Sequence, residues 1–140
     1  MKNWQALLTP LLGWFAAQGL KYIINLRKDG LQLKDLYASG GFPSSHTAST
    51  VALATYLGAT AGWDSHIFAL ATMFTAVVMY DAVGVRRAVG EHTRLLRELA
   101  AQKKVDYKAR GMHTALGHTP LEVFGGMVLG IIIGLVISSI

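Results

Sequence analysis

Four long apolar runs, at about 4–26, 44–63, 66–85 and 119–140, alternate with polar stretches along the chain. Each is close to the ~20 residues a helix needs to cross a hydrocarbon core. The pattern therefore predicts an all-α fold, a polytopic membrane helix bundle of about four transmembrane helices in a single domain over 1–140. The second run is rich in Ala, Thr and Gly in place of Leu and Ile, which makes it the weakest span by composition. It is expected to pack inside the bundle. In the first run Gln18, Lys21 and Asn25 interrupt the region where a small-residue cleavage site would lie, so this run is expected to remain in the mature fold.

The polar segment between the third and fourth runs has its own periodicity. Ala88, Val89, His92, Leu95, Leu96 and Leu99 recur at three- and four-residue spacing, with Arg94, Arg97, Glu98 and Lys103 at other positions. This predicts an amphipathic helix over 89–104. It can lie on an anionic lipid surface, pair with a second copy, or serve as a solvated link between spans. In the fourth run Gly126, Gly130 and Gly134 form a stripe of small residues suited to close helix packing within or between chains. A homodimer through that stripe or through the 89–104 helix is one candidate partnership.

Composition agrees with the membrane reading. Hydrophobic residues make up 52% of the 140 and charged residues only 15%, with a mean hydropathy of +0.39, unlike a typical soluble domain. With no cysteine there is neither a disulfide framework nor a thiolate metal site. A net charge of +5 would suit nucleic acid, but all the basic residues except Lys2 and Lys21 fall in two loops, and no nucleic-acid partner is expected. Arg27, Lys28 and Lys34 follow the first span, and Arg86, Arg87, Arg94, Arg97, Lys103, Lys104, Lys108 and Arg110 follow the third. The positive-inside rule then places both loops in the cytoplasm and both termini outside, with Trp4 and Trp63 at the opposite interface.

Three polar motifs fall at span ends on that same face. In Gly41-Phe42-Pro43-Ser44-Ser45-His46, Pro43 suits a first helical turn and Ser44 or Ser45 can cap it. The free N–H groups of such a helix start attract an anion, and His46 beside them can protonate a leaving oxygen. Equally, the segment is an ordinary Ser/Pro helix start with an interfacial histidine. Thr119-Pro120-Leu121-Glu122 fits a capping box, which explains Glu122 structurally. Alternatively Glu122 orients His118 for attack. In Tyr80-Asp81-Ala82-Val83-Gly84-Val85-Arg86-Arg87 an acid stands within an apolar span, followed by two arginines whose planar forks suit a phosphoryl group. Helix-end and interfacial preferences, or a pair with Asp81, account for the arginines without a ligand. Gln18, Lys21, Asn25 and Lys28 make one polar stripe on the first helix, from which Lys21 either reaches a phosphate or snorkels to the surface.

Taken together, these blocks resemble the type-2 phosphatidic acid phosphatase and vanadium haloperoxidase superfamily. Pro43-Ser44-Ser45-His46 resembles its Pro-Ser-Gly-His motif, and His118-x-x-x-Glu122 resembles its His-x-x-x-Asp motif. The likeness is closer to a divergent branch of small bacterial and plastid membrane proteins, through 40–46, 79–87 and 117–123 in order. That resemblance implies metal-independent phosphoester hydrolysis through a phosphohistidine, with no cofactor. His118 would be the nucleophile, Glu122 its orienting acid and His46 the general acid. Ser44, Ser45, Lys21 and either Arg86 or Arg87 would bind phosphate, with Asp81 structural or electrostatic. The chain differs from the wider superfamily in Ser45 for glycine, Glu122 for aspartate, four spans for six, and an arginine lying about thirty residues before the histidine motif.

Two classes of function follow. One is an acid-phosphatase-like lipid-phosphate phosphatase, cleaving a phosphomonoester or diphosphate at the cytoplasmic face of a bacterial or plastid membrane. Phosphatidic acid, phosphatidylglycerol phosphate and isoprenyl phosphates are its candidate substrates. The other is a non-catalytic scaffold that binds an anion or a lipid headgroup in the same pocket. A channel is disfavoured, since the spans carry no repeated ring of charges.

Overall fold

A computed structural model describes residues 3–29, 41–102 and 117–140. Within them the chain forms helices α1 (Asn3–Asp29), α2 (Ser45–Ala61), α3 (His66–Val83), α4 (Val85–Gln102) and α5 (Pro120–Ser138). Lys34, Lys103, Lys104, Lys108 and Arg110, on which the charge asymmetry partly rests, lie outside the described residues. So does the 103–104 end of the expected amphipathic helix.

The bundle is organised around α2, which packs on α1, α3 and α5. Ten of its 17 residues are buried, and they are mainly Ala, Thr, Ser and Gly. The Ala- and Thr-rich run is thus the interior helix its composition predicted. At ~1.5 Å per residue it spans about 26 Å, somewhat short of a ~30 Å hydrocarbon core. The three helices long and apolar enough to cross a membrane are its neighbours, at Trp4–Leu26, within the α3–α4 run His66–Gln102, and at Pro120–Ser138.

Small side chains on α2 permit the closest approach in the fold. Gly126, Gly130 and Gly134 of α5 pack on Ser44, Ala48 and Ala52 of α2, four residues apart on both sides, so the two helices run parallel in constant register. A Cβ at Gly130 would stand 2.7 Å from the Ala48 carbonyl oxygen and 2.8 Å from the Val51 Cβ. The stripe is therefore covered within the chain.

Antiparallel to α2, α1 is tied to it by polar contacts on one face: Ser49 donates to the Pro10 carbonyl at 2.8 Å and Ser45 to Gln18 at 2.9 Å. On the other flank Thr75 of α3 donates to the Thr50 carbonyl at 3.2 Å. Thr9, Thr47, Thr55 and Thr75 are buried, whereas Leu7, Phe15, Leu70, Met73 and Phe74 point outward. Water would penalise so much exposed apolar surface. In lipid, where helices associate through small residues and hydrogen bonds, the arrangement is the stable one.

After Gly84, α4 continues directly from α3 as the amphipathic helix, beginning earlier than 89. Among the described residues its one helical neighbour is α3. Arg87–Glu91 and Arg94–Glu98 pairs run along it at 3.2 and 3.0 Å, and Leu95, Leu96 and Leu99 are exposed.

If the glycine stripe sets the α2–α5 distance, Gly130→Val costs at least the ~1–3 kcal/mol of core overpacking. It should lower the thermal midpoint in mild detergent, while Ile132→Ala on the exposed face leaves it within a degree or so of the parent, on the order of a surface change.

Candidate active site

All the helix ends nearest the three motifs lie at one end of the bundle: the start of α2, the end of α3, the starts of α4 and α5, and the last third of α1. Backbone hydrogen bonds join the motifs directly. The Ser44 N–H donates to the Glu122 carbonyl at 2.9 Å, and the His118 N–H donates to the Ala82 carbonyl at 3.0 Å. Gly117 sits against the Arg86–Arg87 backbone so tightly that a side chain there would collide with it. The first and second motifs are thus each fastened to the third. Because α2 and α5 are parallel, their positive dipole ends open on the same region, a favourable place for an anion.

Glu122 makes both of the contacts that the sequence left as alternatives. It completes the capping box, with its N–H donating to Thr119 Oγ1 at 3.3 Å and its Oε2 accepting from the Thr119 N–H at 3.0 Å. The same Oε2 lies 3.0 Å from His118 Nδ1. An ionised carboxylate only accepts hydrogen bonds, so opposite one Nδ1 is the donor, and in the neutral ring Nε2 then keeps its lone pair. His118 is buried, and its ring is held by the carboxylate and its backbone by α3.

The other residues divide clearly. His46, in the first turn of α2, is exposed and lies within electrostatic reach of Arg86, His118, Lys21 and Asp81. Lys21 is only 5% exposed, so it does not snorkel to the surface. Its stem runs beneath Gly41, whose φ of +85° forms the turn before Pro43, and its charge acts on Glu122. Among the described residues no carboxylate stands within ion-pair distance of its ammonium. Arg86 pairs with Asp81 through Nε, and its charge acts on His46. Arg87 turns instead along α4 to Glu91, an exposed pair of the kind worth a few tenths of a kcal/mol.

Two of the expected phosphate ligands are engaged elsewhere. Ser44 is fully buried, and its hydroxyl caps α2 by accepting from the Thr47 N–H at 3.4 Å and the Thr47 hydroxyl at 3.0 Å. At the capping position the hydroxyl is turned into the bundle. Ser45 is buried as well and donates to Gln18. Gln18 was visible in the sequence only as one member of the α1 polar stripe; its contact with Ser45 depends on how α1 and α2 cross. Among the described residues, no group of three or more His, Asp or Glu side chains is arranged to hold a metal ion.

These features define an integral membrane helix bundle with a histidine–carboxylate pair and a cationic cluster at one end. The sequence profile of the divergent PAP2 family matches residues 2–133, and the chain belongs to that family. It is similar to an uncharacterized membrane protein YuiD of Bacillus subtilis (strain 168), with 36% identity and 72% of each chain covered. No solved structure matches it.

The double use of Glu122 makes a separable prediction. Glu122→Gln keeps an oxygen that can accept from Thr119, so the helix start should survive, whereas Glu122→Ala loses about 1 kcal/mol of capping. Thermal unfolding in detergent should therefore rank parent and Gln variant together and the Ala variant below them.

Proposed function

We propose that this protein is a membrane lipid-phosphate phosphatase that works through a phosphohistidine, with its site at the cytoplasmic face. The observation that carries the reading is the His118–Glu122 contact, set in one cluster with His46, Lys21 and Arg86. The lone pair on His118 Nε2 attacks phosphorus. As the bond to the leaving oxygen breaks, that oxygen takes a proton from His46. Glu122 offsets the positive charge that develops on the phosphorylated ring, while Lys21 and Arg86 hold the non-bridging oxygens where charge accumulates. A water then attacks phosphorus and gives its proton to His46. The P–N bond breaks, its electron pair returns to Nε2, and inorganic phosphate leaves. Asp81 orients Arg86 in this scheme.

The basic loops on either side of the motifs support the cytoplasmic orientation. The buried position of Lys21 supports a phosphate role, since among the described residues only the more distant charge of Glu122 offsets its ammonium, and a cation held away from water is costly unless an anion is there to meet it.

Purified protein should release phosphate from a panel of lipid monophosphates in a reaction that vanadate inhibits and chelators spare, and His118→Ala should abolish it. Turnover that persists in His118→Ala would overturn the phosphohistidine. No turnover on any lipid phosphate would favour the headgroup-binding scaffold.

The assignment of His46 has a separate signature. His46→Ala should slow an alkyl phosphate by about 10²–10⁴, and a nitrophenyl phosphate much less, because a good leaving group needs no proton. Equal losses on both substrates would remove His46 from the general-acid role.

A further inference from the structure

Away from the motifs, an apolar cavity of about 500 Å³ lies between α2, α3 and α5. It exists because α3 and α5 both pack on α2 while touching each other little. Ala76 on α3 and Ile131 on α5 line it and are exposed, so the groove opens on the flank of the bundle. Its lining belongs to the stretches of α3 and α5 that are apolar enough to cross a membrane. The open side therefore faces lipid.

The two ends of the groove differ. At one end are Met79, two residues before Asp81, and Met127, five residues after Glu122, so this end approaches the cationic cluster. At the other, Trp63 and Phe68 close the groove with an edge-to-face contact, centroids 5.1 Å apart. From Phe68 to Met79 the helix rises ~17 Å, roughly half of a ~30 Å hydrocarbon core. The volume falls within the ~300–1,000 Å³ of ordinary ligand pockets. Methionines at its inner end offer flexible, polarizable surface that adapts to a mobile apolar guest.

The geometry points to the α2–α3–α5 groove as the binding site for the hydrocarbon chain of a lipid phosphate whose headgroup lies among His118, His46, Lys21 and Arg86. This rests on the phosphatase reading for the identity of the headgroup and adds to it the chain. An occupant with an anionic head and an apolar tail matches both the cations at one end and the apolar lining that continues from them. The tail enters sideways from the bilayer, runs along Ala76 and Ile131, and stops at Trp63 and Phe68. The substrate is thus a membrane-resident phosphate ester recognised at both parts.

Ala76→Phe narrows the groove far from the histidines. In detergent micelles it should lower kcat/KM on a long-chain prenyl or acyl monophosphate by roughly tenfold or more, the scale of discrimination in an apolar pocket, and leave a short-chain, water-soluble phosphomonoester unchanged. A second readout does not need turnover. In a His118→Ala, Trp4→Phe, Trp14→Phe protein, Trp63 is the one remaining of three tryptophans. A lipid monophosphate brominated near its tail end should quench its fluorescence, the matching brominated alcohol should quench it far less, and Ala76→Phe should remove the difference.

If wild-type protein hydrolyses neither ester but the phosphate-dependent quenching is seen, the groove stands and the phosphatase reading fails. If both esters are hydrolysed and Ala76→Phe changes neither rate nor quenching, the phosphatase stands and the groove assignment is overturned. A change of oligomeric state in Ala76→Phe with chain-length dependence intact overturns it too, and makes the groove an interface between copies of the chain.

Discussion

Where α5 crosses α2, no side chain separates the two backbones. Gly126, Gly130 and Gly134 lie against Ser44, Ala48 and Ala52, and every other relation at the polar end follows from that approach. The parallel register brings the start of α2 level with the start of α5, close enough for the Ser44 N–H to reach the Glu122 carbonyl. His46 and His118 are consequently delivered to the same level of the bundle by different helices. In lipid there is no hydrophobic force to press helices together, so such contact depends on backbones that can come close and hydrogen bonds that can form.

The interior is accordingly small and polar, and the exterior is large and apolar. Several interior hydroxyls bond a local acceptor or a neighbouring helix: Thr75 uses the Thr50 carbonyl, Ser49 the Pro10 carbonyl, Thr9 the Gln5 carbonyl. Among the described residues no buried side-chain polar atom is left without a partner. Polar groups at the motif end serve a further purpose, since they hold one another. The capping box that starts α5 also aims His118, so stability of the helix and orientation of the ring share one carboxylate. Asp81 and Arg86 extend the arrangement from α3 into α4 across the Gly84 break.

Much of this was legible before any coordinates. The apolar runs marked α1, α3 and α5, the Ala and Thr content marked α2 as interior, and Thr119-Pro120-Leu121-Glu122 marked its own capping box. These signals are local: a span is written in consecutive residues, and a cap within four. The family likeness rested on three short blocks in order and was equally readable. What escaped were choices between partners of similar chemistry. Arg86 and Arg87 are adjacent and chemically identical, and only the direction of α4 turns one toward Asp81 and the other toward Glu91. Ser44 and Ser45 are likewise neighbours, yet one becomes a buried cap and the other bonds to Gln18.

By itself, then, the sequence determined a helical membrane bundle, its interior helix and the three motifs at its helix ends, because hydropathy, caps and small-residue spacing act within a few residues of chain. Tertiary structure alone decided that the glycine stripe faces α2 within the chain, that Lys21 is buried beneath Gly41, that Glu122 caps and orients at once, and that α3 and α5 leave a groove between them. Those outcomes depend on the crossing of helices far apart in sequence, where side-chain volume and available hydrogen-bond partners select one arrangement from several that local pattern permits.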